Sequence, residues 1–166
     1  MTIAANVQNV RDVMAAACGR ANRNPAGVTL IAVSKTQPVT AVLEAIAAGA
    51  QHLGENRVEE SGTKIPLVNA QSPDPLTWHM IGHIQSRKAK EVADLFQMVQ
   101  SVDSLKLAGK LSALAVEKQQ VLKVLLEVNV SGEATKSGWQ ASGWQADGDI
   151  RRRFGDEVGA NSGAAG

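Results

Sequence analysis

The chain contains no tyrosine, and its other aromatics are scarce: two phenylalanines and three tryptophans. A phenolic acid, base or nucleophile is therefore excluded from its chemistry. A single cysteine, Cys18, lies among the apolar positions of a predicted helix and excludes an internal disulfide, which suits a reducing cytosol. No apolar stretch approaches the ~20 residues that a bilayer-crossing helix needs. The N-terminus lacks the basic-then-apolar order of a signal peptide, so a cytoplasmic location is expected. Neither charge sign dominates: 17 basic residues face 16 acidic ones, and no global field argues for nucleic acid or an anionic membrane. Also missing are Gly-x-Gly-x-x-Gly and Gly-x4-Gly-Lys-[Ser/Thr], which removes the usual support for dinucleotide and P-loop sites.

What is present is alternation. With 166 residues the chain has one domain's worth of material and enough for a real core. Ala5 to Ala21 places Val7, Val10, Met14, Ala17 and Cys18 on one helical face. The apolar, β-branched run Val28-Thr29-Leu30-Ile31-Ala32-Val33 then reads as a buried strand, and Pro38 to Ala48 as a helix opened by Pro38 and closed by Gly49. Gln51 to Gly54, Trp78 to Gly82 and Gln97 to Val102 are further predicted strands, each followed by a helical pattern. Asp103 is the expected cap of the last helix. Val121 to Val130 is almost continuously apolar, as in a strand covered on both faces. About five strand–helix units of this kind predict an α/β fold with parallel strands, and a (β/α)8 barrel is favoured over a doubly wound sheet.

The last segment differs. Residues 139–166 lack leucine and lysine yet hold two of the three tryptophans, and the pentad Ser137-Gly138-Trp139-Gln140-Ala141 is followed at once by its copy, Ser142-Gly143-Trp144-Gln145-Ala146. We therefore divide the chain into residues 1–138 and an atypical tail, 139–166, expected to be disordered. The Arg151-Arg152-Arg153 run in it lacks the aromatic platform or wider basic surface of a nucleic-acid site.

Polar residues gather at the predicted strand ends, where parallel α/β folds place their ligands. Lys35 ends the first strand, Gly54-Glu55-Asn56 the second, Gly82-His83 the third, Ser101-Val102-Asp103 the fourth and Asn129 to Ser131 the fifth. A barrel would bring Lys35, Asn56, His83 and Asn129 within reach of one ligand. A lysine amine at such a place can condense with an aldehyde once partial desolvation or a nearby cation lowers its pKa. Plainer alternatives stand beside each: Lys35 as a solvated strand cap, Asn56 as a helix cap, Glu59 and Glu60 as a solvated helix face. His79 and His83 would lie about 13 Å apart along a strand, so a metal site is not expected. Ser34 should face away from Lys35, which argues against a Ser–Lys nucleophile pair.

Together, Val33-Ser34-Lys35-Thr36, Gly54-Glu55-Asn56, Trp78-His79-Met80-Ile81-Gly82-His83-Ile84-Gln85-Ser86, Ser101-Val102-Asp103 and Val128-Asn129-Val130-Ser131-Gly132-Glu133 resemble the pyridoxal phosphate homeostasis proteins. This YggS/PROSC-type group is related in fold to the N-terminal domain of alanine racemase (fold type III among pyridoxal phosphate proteins). The resemblance covers about residues 5–138, with Arg87 standing where an asparagine is usual. It implies a (β/α)8 TIM-type barrel in which Lys35 holds pyridoxal 5'-phosphate as an internal aldimine, with Asn56 near the cofactor and His83 and Asn129 as further candidates. It also implies a non-catalytic carrier that binds, buffers or delivers the cofactor, with pyridoxal-phosphate-dependent apoenzymes as partners. Two alternatives are an amino-acid racemase or transaminase-like enzyme, and a fragment without function. Racemases of this fold type pair the lysine with a tyrosine, which this sequence lacks.

Family members continue with further strands carrying a Ser- and Gly-rich segment and a late Arg-x-Gly-Thr-like turn for the phosphate, and neither is found here. A truncation behind residue 138 is the expectation, leaving a partial barrel whose fifth strand is an apolar edge prone to association or aggregation.

Overall fold

The computed structural model describes residues 2–140, and the copied pentad and arginine run lie outside them. The chain divides between Trp78 and His79 into two compact units.

The first unit opens with helix α1 (Ile3–Arg20), whose N-cap Thr2 accepts from the Ala5 amide through its hydroxyl at 3.2 Å. A short turn, Pro25–Gly27, follows, with the Asn24 side chain accepting from Ala26. It delays the first strand, so β1 is only Ile31–Val33, shorter than the apolar run that foretold it. Helix α2 (Val39–Ala47) follows Pro38, which occupies the N-cap. Strand β2 (His52–Glu55) runs parallel to β1 in the register Ile31↔His52, Ala32↔Leu53 and Val33↔Gly54. Helix α3 (Val58–Asn69) buries Val58, Ile65 and Val68, and the buried Trp78 indole donates to the Asn69 side chain at 2.9 Å.

Arg11 ties α1 to the end of α2. Its guanidinium donates to the carbonyls of Ala48 and Gly49 at 3.0 and 2.6 Å, where a helix end exposes unpaired acceptors and partial negative charge. Gly49 has φ +89, a left-handed conformation that favours glycine, whereas a Cβ there would meet only the movable end of the Arg11 side chain, 2.9 Å away.

Strand β3 (Thr77–Met80) leads into the second unit. There β3 is followed by a short turn and α4 (Ala89–Leu95), then by β4 (Met98–Val102), α5 (Leu105–Glu117) and β5 (Lys123–Leu126). The strands are parallel, with His79↔Met98 and Met80↔Val99 across the first pair and Met98↔Lys123 and Val99↔Val124 across the second. Met80, Phe96, Val99, Val102, Leu107 and Leu111 form the core of this unit.

Three further details depart from expectation. The apolar run 121–130 does not form one covered strand: it breaks into β5 and a two-residue strand β6 (Val128–Asn129), and Val121, Leu125 and Val130 are exposed. An apolar run records an appetite for burial, not the presence of a cover. The cap of α5 is Ser104, one residue later than foreseen, which leaves Asp103 for another partner. A last strand, β7 (Trp139–Gln140), pairs with β6 and so carries regular structure two residues past the expected boundary at 138. Gly138 has φ +111, and a Cβ on it would meet the Asn129 amide nitrogen at 2.9 Å.

The fold class is thus α/β with parallel strands and intervening helices, the units of a partial (β/α)8 architecture. Among the described residues no helix is long and apolar enough to cross a membrane.

Candidate functional site

At the end of β1 the ladder continues one step, the Ser34 amide donating to the Gly54 carbonyl at 2.9 Å. Ser34 is buried, and its hydroxyl donates to Glu55 Oε1 at 2.8 Å. Lys35, on the opposite face as alternation demands, is exposed, and among the described residues no side chain holds its ammonium. Thr36 then adopts φ 62, a left-handed conformation that a β-branched residue rarely takes. Its amide donates to Glu60 Oε1 at 2.8 Å, and the Gln37 amide closes the turn on the Ser34 carbonyl at 3.1 Å.

Behind this turn lies a second lysine. Lys64, on α3, is 6 % exposed, and its Nζ donates to the Ser34 carbonyl at 2.9 Å, Glu55 Oε1 at 3.0 Å and Glu60 Oε1 at 2.5 Å. Burial by itself would lower the Lys64 pKa, but the hydrogen bonds to Glu60 and Glu55 outweigh it and hold the ammonium above its ordinary value. Glu60 is held below the usual glutamate value, chiefly by the Lys64 hydrogen bond, against the opposing effect of burial, with the Thr36 amide assisting. Glu55 is fully buried, and its second oxygen, Oε2, has no partner.

Asn56 follows β2 as Lys35 follows β1: each is two residues past the Val33↔Gly54 rung. The helix-cap alternative for Asn56 does not hold, because Arg57 occupies the N-cap of α3 and no side chain caps it. Asn56 Oδ1 is instead buried without a partner. The structure sets Lys35 and Asn56, both candidates from the sequence, on neighbouring strand ends, and places beside them Glu55, Lys64 and Glu60, which the sequence does not single out as site residues. The position of Glu60 in the sequence suggests a solvated face, but its carboxylate in fact binds Thr36 and Lys64. The signal available was a lysine standing on the same helical stripe as Ser61, Ile65 and Val68, where an unpaired charge does not belong.

In the second unit, His83 Nδ1 lies 3.0 Å from Asp103 Oδ2, with the ring exposed and the carboxylate largely buried. The delayed cap of α5 is what frees Asp103 for this pairing. Ser101 Oγ donates to the Gly82 carbonyl at 2.6 Å. His79 is engaged by Gln100, 3.1 Å from its Nδ1. Asn129 turns its side chain into its own loop: Oδ1 accepts from the Ser131 hydroxyl and the Gly132 amide, and Nδ2 donates to the Glu133 carbonyl.

Residues 2–153 match the sequence family described as the alanine racemase N-terminal domain. The chain is 48% identical over 138 residues to the pyridoxal phosphate homeostasis protein of Pseudomonas aeruginosa, covering 82% of this chain and 58% of that protein. It is 41% identical over 138 residues to the protein of that name in Escherichia coli K12, covering 83% and 59% respectively. Among solved structures it is similar to PipY of Synechococcus elongatus with pyridoxal phosphate bound, at 36% identity and a TM-score of 0.66 over 81% of this chain and 61% of that one. The chain therefore spans about three fifths of the length of the relatives it matches.

Proposed function

The chain belongs to the alanine racemase N-terminal domain family, and on that premise we propose that it is a pyridoxal 5'-phosphate-binding protein of intracellular cofactor homeostasis, with Lys35 as the residue that bears the cofactor. The observation that carries this reading is one exposed amine, Lys35, on a turn fixed from both sides, with a buried oxygen that lacks a donor, Asn56 Oδ1, on the neighbouring strand end. Orphaned buried acceptors are costly and are found where a ligand supplies the donor. When bound, the cofactor supplies an aldehyde with which a lysine amine condenses.

These residues suit that group at its aldehyde end. Lys35 offers the nucleophilic nitrogen, Asn56 Oδ1 is left free to accept from a donor on the bound group, and Ser34, facing away, keeps the strand end in the ladder through its amide. His83, oriented by Asp103, and Asn129, which orders the loop 129–133, are the further candidates of the second unit. We read the protein as a cytoplasmic carrier without turnover that passes the cofactor to apoenzymes. The names of the relatives from Pseudomonas aeruginosa and Escherichia coli support the homeostasis part of this reading.

Racemisation or transamination is the second reading, favoured by the family match itself. A two-base racemisation lacks a tyrosine in this sequence. Isotope exchange at the α-carbon of alanine, absent in wild type, separates carrier from enzyme.

The first test is a titration with pyridoxal phosphate followed by absorbance, borohydride reduction and peptide mapping. Stoichiometric label at Lys35, lost in Lys35→Ala, is the expected result. Label scattered over many lysines overturns the reading.

A further inference from the structure

Lys35 has no side-chain partner among the described residues, so the direction of its amine is set by its backbone alone. That backbone is held with unusual completeness. On the N-terminal side, the Ser34 carbonyl receives Lys64 and the Ser34 hydroxyl is anchored on Glu55. On the C-terminal side, the Thr36 amide is taken by Glu60. The carboxylates come from β2 and α3, and Lys64 joins them into one network. Thr36 sits at φ 62, and such conformations persist only where the surroundings over-determine them.

We propose that Lys64, together with Glu55 and Glu60, is the positioning centre for Lys35, gripping both peptide groups that flank it so that the amine is delivered in one orientation. The proposal rests on the cofactor reading above for what Lys35 does, and extends it to residues that never touch the cofactor. It gives a buried ion network a role other than stability, which such networks often fail to supply. It also accounts for the strained Thr36: the turn is bent by the network, and the bend aims the side chain.

The test compares wild type with Glu60→Ala and Glu60→Gln in the full chain, because Glu60 is at the rim of the network and its removal leaves Lys64 paired with Glu55. Two quantities are read. One is the rate at which pyridoxal phosphate labels Lys35 relative to the other lysines, after borohydride reduction and peptide mapping. The other is hydrogen exchange of the Thr36 backbone amide by NMR, which needs no cofactor.

Glu60→Ala should slow Lys35 labelling on the order of tenfold while leaving the other lysines unchanged, since small misplacements of a reacting group carry penalties of this size. The Thr36 amide should exchange faster by a similar factor. Glu60→Gln, which keeps an oxygen for Thr36, should restore both to within about twofold of wild type. A merely structural role would not distinguish Lys35 from its fellow lysines. Wild-type values of both quantities in Glu60→Ala overturn the proposal. If wild type labels its lysines indiscriminately, the cofactor reading fails instead, while faster Thr36 exchange in Glu60→Ala still upholds the grip on the turn.

Discussion

The ends of β1 and β2 and the ends of β3 and β4 solve one problem in opposite ways. At Lys35 the backbone is gripped and the side chain is left out; at His83 the ring itself is gripped, by Asp103, at 3.0 Å. The first arrangement uses buried charge: Glu55, Lys64 and the half-buried Glu60 converge on one turn. The second uses an exposed ring and a single neutral contact, the Ser101 hydroxyl on the Gly82 carbonyl. A long flexible amine that must meet a ligand cannot be restrained directly without losing its reactivity, so restraint falls on the peptide groups beside it. A short aromatic ring can be oriented by one hydrogen bond and remain available through its other nitrogen.

The comparison is broken most forcefully at Lys64. Lys64→Met leaves Glu55 buried without its cation, and the loss of stability should be about 3–5 kcal/mol, read from denaturant unfolding. Adding Glu55→Gln should recover much of it, since the two groups are coupled. A cost below about 1 kcal/mol for Lys64→Met would mean that the charges are not truly desolvated.

A pH series sharpens the same contrast. Glu60 is held below its ordinary 4.5, so its contribution is full above that value and disappears as pH falls through the lower, folded value. Lys64 is held above its ordinary 10.5, so its contribution is full below that value and disappears as pH rises through the higher, folded one. The unfolding midpoint should therefore show a plateau between these limits as far as this network is concerned, with Glu60→Gln flattening the acid limb. An acid limb identical in wild type and Glu60→Gln would remove Glu60 from the network.

Smaller effects are expected in the second unit. Ser101→Ala removes a neutral hydrogen bond and should cost about 1 kcal/mol in the same unfolding experiment. Asp103→Asn, whose partner is a solvent-exposed ring, should cost no more than about 1 kcal/mol. An Asp103→Asn effect as large as that of Lys64→Met would erase the distinction between the two regions.

Much of the architecture was legible in advance, because strand and helix periods differ and turn residues separate them: α2 between Pro38 and Gly49 is an example. Less legible was where an element stops. The run from Val28 looked like strand throughout, but Pro25–Gly27 closes a turn first and pairing starts only at Ile31. The apolar stretch 121–130 broke because side-chain hydrophobicity does not reveal which neighbour will cover it. Asp103 and Ser104 are both good caps, and the sequence does not choose between them: Ser104 caps α5 while Asp103 meets His83.

The candidate site was partly legible. Lys35 and Asn56 stand out as candidates by following apolar strands, and the opposed direction of Ser34 follows from strand alternation. Lys64 does not stand out, because a sequence shows a charge but not its compensation. Its partners lie on a strand end and one helical turn away, and only the fold makes them a group.

The three N–H bonds of the Lys64 ammonium each have an acceptor: the Ser34 carbonyl, Glu55 and Glu60. Such a nitrogen has no lone pair to offer and no room to acquire one, for it would have to abandon a carboxylate to do so. To an electrophile at this end of the sheet, two lysines of identical covalent structure are therefore different functional groups. On the proposed reading one is a reagent and the other a fixture, and the protein needs no protecting chemistry to keep them apart.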